Sequence, residues 1–166
     1  MNWDAIGAVG EIIGAAAVVV SVFYLAAQVR KQTEEERLSA TRELSELFLV
    51  TIGSVQEDKE FAEIYLRAVK DYDSVENADR LRIAFFFQRG FRILEQQHLH
   101  TKRGNVDPIY FESMNLAFFE WLTFPGIQRW WELSGNLFET EFRAFIDEQI
   151  DKAKTQGYQS SFKDAG

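Results

Sequence analysis

The opening of the chain shows almost no alternation between hydrophobic and polar positions. Twenty-five residues between Asp4 and Arg30 read AIGAVGEIIGAAAVVVSVFYLAAQV, with Glu11 as the only charge. At 1.5 Å of rise per residue this run makes a helix about 37 Å long, enough to cross a hydrocarbon core of about 30 Å with some tilt. Trp3 at one end and Phe23 and Tyr24 toward the other fall where interfacial aromatics are expected. A cleaved signal peptide needs a basic leader and a shorter apolar run, and MNWD offers no basic side chain. A buried helix of a soluble core would ordinarily carry more charge over such a length. The pattern predicts a transmembrane helix over residues 1–31.

The few polar and small residues of this segment are not scattered. At 100° per residue, Gly7, Gly10, Glu11, Gly14, Ser21 and Gln28 share an arc of roughly 100°, and the opposite face reads Val9, Ile12, Ile13, Ala16, Val19, Val20, Phe23 and Ala27. Gly7, Glu11, Gly14, Val18, Ser21, Leu25 and Gln28 follow alternating steps of four and three, the seam of a left-handed helix pair or ring. Gly10 and Gly14 add a GxxxG spacing. Glu11 lies about 9 Å inside the outer boundary, so its desolvation costs less than at the midplane, yet acids within spans usually face protein or water. The expectation is a self-association face made of Gly7, Gly10, Glu11, Gly14, Val18, Ser21, Leu25 and Gln28. The alternative is a small homo-oligomeric cation-conducting pore with Glu11 as its ring.

Beyond Lys31 the period is helical throughout. No breaker precedes Gly53, so the first helix is expected to leave the membrane as a charged stalk that turns amphipathic at Leu44, Leu47, Phe48, Thr51, Ile52 and Val55. A second helix places Phe61, Ile64, Tyr65, Ala68, Val69 and Tyr72 on one side. YDSVENAD reads as a loop in which Asn77 or Ser74 caps the next helix, over 78–102. That helix carries Leu81, Ala84, Phe85, Phe91 and Leu94, with Phe86 and Phe87 widening the stripe, which suggests a central position. Gly104 is the expected C-cap, and Asp107-Pro108 starts a helix that puts Tyr110, Met114, Phe118, Trp121 and Leu122 on one side. Pro125-Gly126 turns the chain into a short segment holding Trp130 and Trp131. A last helix shows Leu137, Phe138, Phe142, Phe145, Ile146 and Ile150. The predicted architecture is all-α: one N-terminal transmembrane helix (1–31) continuing into a bundle of about five helices (32–155), with a polar, flexible tail (156–166).

Charge adds sidedness. Residues 1–31 balance Asp4 and Glu11 against Arg30 and Lys31, and the remaining 24 acids and 16 bases carry the whole net charge of −8. Such a domain repels a phosphate backbone, so no nucleic-acid partner is expected, and the same charge disfavours lying flat on an anionic leaflet. Arg30, Lys31, Arg37 and Arg42 follow the span while no Lys or Arg precedes it, which places the N-terminus outside and the helical domain in the cytoplasm. With no cysteine in the chain, disulfides and thiolate metal sites are excluded.

The string WDAIGAVGEIIGAAAVVVSVFYLAAQVR, from Trp3 to Arg30, resembles the start of a group of small, uncharacterised bacterial single-pass membrane proteins in which a comparable span precedes a helical region. The similarity extends to an aromatic-rich helix ending at Glu95, a Gly104-x-x-Asp107 turn, and Pro125-Gly126-x-x-Arg129-Trp130-Trp131 ahead of Phe138 and Phe142-x-x-Phe145. The resemblance implies a protein of the bacterial inner (plasma) membrane. It implies no catalytic residues.

A search for chemistry returns little. Glu95-x-x-His98 has the spacing of one half of a di-iron site, but His100, the only other histidine, belongs to no second such pair, and a helix-surface contact is the simpler reading. Nucleophile-elbow, phosphate-loop and HExxH patterns are absent, and Glu120, Glu132, Glu139 and Glu141 show no spacing that singles out an acid–base pair. Trp121, Phe124, Trp130 and Trp131 around the Pro-Gly turn are expected to close the end of the helical core. The other reading makes Trp121, Arg129, Trp130 and Trp131 an exposed patch for a protein partner or the inner leaflet. The chain is expected to be a non-enzymatic membrane protein without metal or cofactor. It self-associates in the bilayer and presents a helical interaction or scaffold domain.

Overall fold

The computed structural model describes residues 3–106, 116 and 118–156, and among these every regular element is helical. Helix α1 is Trp3–Glu57, α2 is Lys59–Lys70, and a 3₁₀ turn covers Tyr72–Ser74. Helix α3 is Asn77–Lys102, residues 118–122 are helical, α4 is Pro125–Ser134, a second 3₁₀ turn covers Gly135–Leu137, and α5 is Thr140–Gln156. The all-α expectation holds, including the continuation of the first helix past residue 31. The expected positions of Tyr110 and Met114, and the tail 157–166, lie outside the described residues.

The chain divides into two units, Met1–Ser39 and Ala40–Gly166, and α1 contributes to both. In the first unit residues 10–39 are exposed along the whole helix. The second unit holds the hydrophobic core, built from α2, α3, the 118–122 turn, α4 and α5, with Phe48 and Val55 of α1 packed against it.

Local chemistry sets the helix ends. Asp58 caps α2, its Oδ1 accepting from the Phe61 N–H at 3.1 Å, and the break between α1 and α2 is this one residue wide. Helix α3 ends on a Schellman turn: the Asn105 N–H donates to the His100 carbonyl and the Gly104 N–H to the Thr101 carbonyl, both at 2.9 Å, with Gly104 at φ 68°. The start of α3 departs from expectation. Neither Asn77 nor Ser74 caps it: Ser74 donates to the Asp71 carbonyl, the N-cap position is Glu76 without a side-chain bond, and Asn77 adopts φ 54°. Asparagine suits this position because it tolerates the left-handed region better than most side chains, so conformation rather than capping explains the residue.

The chain turns at Thr123 and Phe124, and Pro125 then occupies the first turn of α4, where its missing N–H costs nothing. Gly126 beside it presses on α2: a Cβ there would lie 1.8 Å from the Ala68 carbonyl oxygen. Only glycine permits that approach.

Aromatic rings fill the centre. Phe91 of α3 is fully buried and stacks on Trp130 (centroids 5.1 Å, 18° between planes) and on Trp131 (4.6 Å, 26°). Contacts of this kind contribute about 0.5–1.5 kcal/mol each beyond the area they bury. The Trp131 indole N–H donates to Asp147 Oδ1 at 2.8 Å, which gives a buried donor its partner and ties α4 to α5. Asp73 receives both Arg129 (2.7 Å) and Arg80 (3.2 Å), and the Arg129 hydrogen bond holds its carboxyl below the usual aspartate range.

Candidate functional site

Two places carry features beyond what folding needs. One is the surface of α1 in the first unit; the other is a cavity inside the second.

On α1, an eighteen-residue window reaches a mean hydropathy of 2.2 with none of it buried, so this helix is long and apolar enough to cross a membrane. Gly7, Gly10, Glu11, Gly14, Val18, Ser21, Leu25 and Gln28 are all exposed, and beyond the helix's own backbone no atom of the described residues lies within 4 Å of where a Cβ would sit on any of the three glycines. Ser21 spends its hydroxyl within the helix, donating to the Ala17 carbonyl at 2.8 Å. That closes an intrahelical bond and leaves Glu11 and Gln28 as the two side chains of the stripe with longer reach. Ile12, Ile13, Val20 and Phe23 on the opposite face are just as exposed.

Of the two readings of the aromatic cluster, closure of the helical core holds for Trp130 and Trp131 and the exposed patch does not. Trp130 is 2% and Trp131 4% exposed, so both belong to the core and neither is available as a docking surface. The physical reason is their register: both indoles lie against Phe91, and Trp131 reaches Asp147 on α5. Arg129 is at the surface but pairs with Asp73 and with Glu132 (3.3 Å). Trp121 is half-buried and turns toward a different feature.

That feature is a cavity of about 420 Å³ within the second unit. Helix α1 supplies Phe48, Thr51, Ile52, Val55 and Gln56 to its wall, α2 supplies Tyr65, and α3 supplies Phe86, Gly90 and Ile93. Phe118, Glu120, Trp121 and Phe124 come from the segment that precedes α4. Most of these side chains are half-buried, so the cavity opens to the surface. Its walls are oriented by edge contacts: Tyr65 meets Phe86 at 5.6 Å and 78°, and Phe48 lies 5.8 Å from Phe118. Gly90 forms part of the floor, because a Cβ there would stand 3.0 Å from the Trp121 ring.

Among the polar residues of this wall Thr51 is buried and Gln56 is exposed. Thr51 donates to the Leu47 carbonyl at 2.8 Å. Burial pushes the Tyr65 hydroxyl above the usual phenol range, with the nearby Trp121 indole opposing the shift. No Lys or Arg lines the cavity among the described residues. One turn past Ile93 on α3, Gln97 is 1% exposed and both its side-chain amide atoms lack a partner.

Glu95 and His98 serve packing. Glu95 takes Arg92 at 2.6 Å and accepts from the Glu139 N–H at 3.0 Å, holding the start of α5 against α3. The His98 ring lies 4.5 Å from Phe145 and 5.9 Å from Phe142. Burial lowers its pKa below the usual 6.5, with Glu141 and Glu139 opposing and Lys102 reinforcing the shift. Glu141 pairs with Lys102, and Glu139 caps α5 by accepting from the Glu141 and Phe142 N–H groups. Glu132 pairs with Arg129, while Glu139 and Glu141 both serve the start of α5.

The α1 stripe was legible in the sequence because it lies within one helix of fixed period. The cavity was not, since its wall is assembled from four segments. No protein-family model, curated protein or solved structure matches the chain.

Proposed function

We propose that this protein is a non-enzymatic, single-pass protein of the bacterial inner membrane that self-associates through its N-terminal helix and holds a helical interaction or scaffold domain on the cytoplasmic side. One observation carries the reading: a window of mean hydropathy 2.2 with no part of it buried. A core helix of a soluble protein passes the same hydropathy test but hides its apolar surface, and exposed apolar stretches of this size need a lipid or protein cover. Lipid is the cover that a span of twenty-five residues fits.

Self-association follows from the division of labour on the helix. Three glycines with open space above them allow a second backbone to approach, and Glu11 on the same stripe gains a partner it would lack against lipid. Sidedness follows from Arg30, Lys31, Arg37 and Arg42 after the span.

Membrane extraction tests the anchor. The full-length chain is expected to stay in the membrane fraction through alkaline washing and to need an amphiphile for solubility; a chain freely soluble in plain buffer overturns the proposal. The lack of cysteine makes sidedness simple to read. A maleimide that cannot cross the membrane should label Asn2→Cys in intact cells and Lys59→Cys only after permeabilisation. Light scattering of the solubilised protein should return a defined oligomer, and a strict monomer removes the association part.

A further inference from the structure

The cavity of the second unit has the marks of a ligand site. An apolar cavity of about 150 Å³ already admits a benzene molecule, and small-molecule sites run from about 300 to 1,000 Å³. At about 420 Å³ this one falls in that range. Its wall is made mostly of ring and branched aliphatic carbon. Its polar side chains are Thr51, already bonded to its own helix, with Gln56, Tyr65 and Glu120, and most of the remaining wall offers water no hydrogen-bond partner. Water that reaches these apolar walls is a poor substitute for carbon contacts, so a fitting apolar molecule that displaces it is favoured.

The electrostatics restrict what fits. Glu120 is the one titratable acid of the wall and no cation lines it among the described residues. A fatty-acid carboxylate or a phosphate would enter without a counter-charge from the lining. An uncharged molecule carries no such penalty. Floor and rim are also preset: Gly90 leaves room for Trp121 to lie across α3, and Phe86 is held edge-on by Tyr65. A site with fixed walls loses less ordering entropy when it is filled.

We infer that this cavity binds an uncharged, predominantly hydrocarbon small molecule, about the size of a two-ring aromatic, free in solution or dissolved in the bilayer. The inference rests on the second unit alone and holds whether or not α1 crosses a membrane.

Photolabelling with a small neutral carbene source tests it. Full-length protein in nanodiscs of zwitterionic phospholipid is irradiated with trifluoromethyl phenyl diazirine, and adducts are mapped by peptide mass spectrometry. Adducts on lining positions such as Phe48, Ile52, Trp121 and Phe124 are expected, separate from any on the lipid-facing residues of α1. The same labelling is expected to be lost in Ile52→Trp and Val55→Trp, each of which fills the space from a half-buried position; circular dichroism confirms that helix content is kept. A second arm carries the diazirine on a phospholipid tail. Labelling of the lining by the free reagent but not by the tail supports the inference. Adducts from the tail alone, no adducts on the lining, or adducts undiminished in both filled variants that retain their helices overturn it. Adducts on Ile12, Val20 and Phe23 report separately on the membrane reading, so failure of one does not imply failure of the other.

Discussion

Asn77 begins α3 with φ at 54°, a backbone region that costs most L-residues roughly 1–2 kcal/mol. Its side chain makes no cap, so its value lies in tolerance of that conformation. Asn77→Val is expected to destabilise the fold by about 1–2 kcal/mol, and Asn77→Gly to change it little, both measured by denaturant unfolding of the solubilised protein. His98 makes a second residue-scale prediction. Its folded pKa lies below 6.5 because burial against Phe145 disfavours the charged ring, and its Nε2 has no partner. The unfolded chain therefore binds a proton more readily than the folded one. The contribution of His98 is fully present above pH 6.5 and is lost as pH falls through the lower folded value. Thermal melts should show stability declining as pH falls below about 6.5, and His98→Phe should flatten that decline. The carboxylates with lowered pKa, Asp58, Asp73 and Glu139, act in the same direction but at more acidic pH.

At the scale of elements, α4 approaches α2 because Gly126 has no side chain. The clash a Cβ would make is with backbone, which cannot rotate away as a side chain can. Gly126→Ala is expected to cost at least about 3 kcal/mol, seen as a lowered denaturation midpoint, or to abolish cooperative unfolding. Gly135→Ala, whose Cβ would meet only the Trp131 ring at 3.1 Å, should cost less. Helix α1 offers the contrasting case. Beyond the helix's own backbone, no described atom stands within 4 Å of a Cβ placed on Gly14, so Gly14→Ile should leave the stability of the second unit unchanged. If the glycine stripe is the contact between copies, the same change should reduce the oligomer on light scattering while Val20→Ile on the opposite face does not. Equal oligomer content in both variants would remove the stripe from the interface. A Glu11→Gln change that alters cation conductance rather than assembly would favour the pore over the association module.

At the scale of the whole molecule, the units Met1–Ser39 and Ala40–Gly166 divide two kinds of solvent problem. The second solves its own: Phe87, Phe91, Trp130 and Phe142 are buried within it, and Asp73, Arg80 and Arg129 link its turns at the surface. The first has no buried residue from 10 to 39. Removal of residues 1–31 is therefore expected to move the protein from the membrane fraction to the soluble fraction. The remainder should keep its helical circular dichroism and a cooperative melt. A truncated chain that stays membrane-bound would locate the anchor elsewhere.

The period of the sequence determined the helices, the amphipathic faces and the stripe on α1, because each of these is a property of consecutive residues at 100° steps. Phe61, Ile64, Phe91, Phe142 and Ile146 were core candidates on that basis and are core residues. Tertiary structure alone decided three things. It put Trp130 and Trp131 inside rather than on a docking patch, since their burial depends on Phe91 from another helix. It gave Gly126 its purpose, which lies in the backbone of Ala68 and is invisible from its own neighbours. And it left a space among Phe48, Tyr65, Gly90 and Trp121, because a cavity exists only where surfaces of separate segments fail to meet.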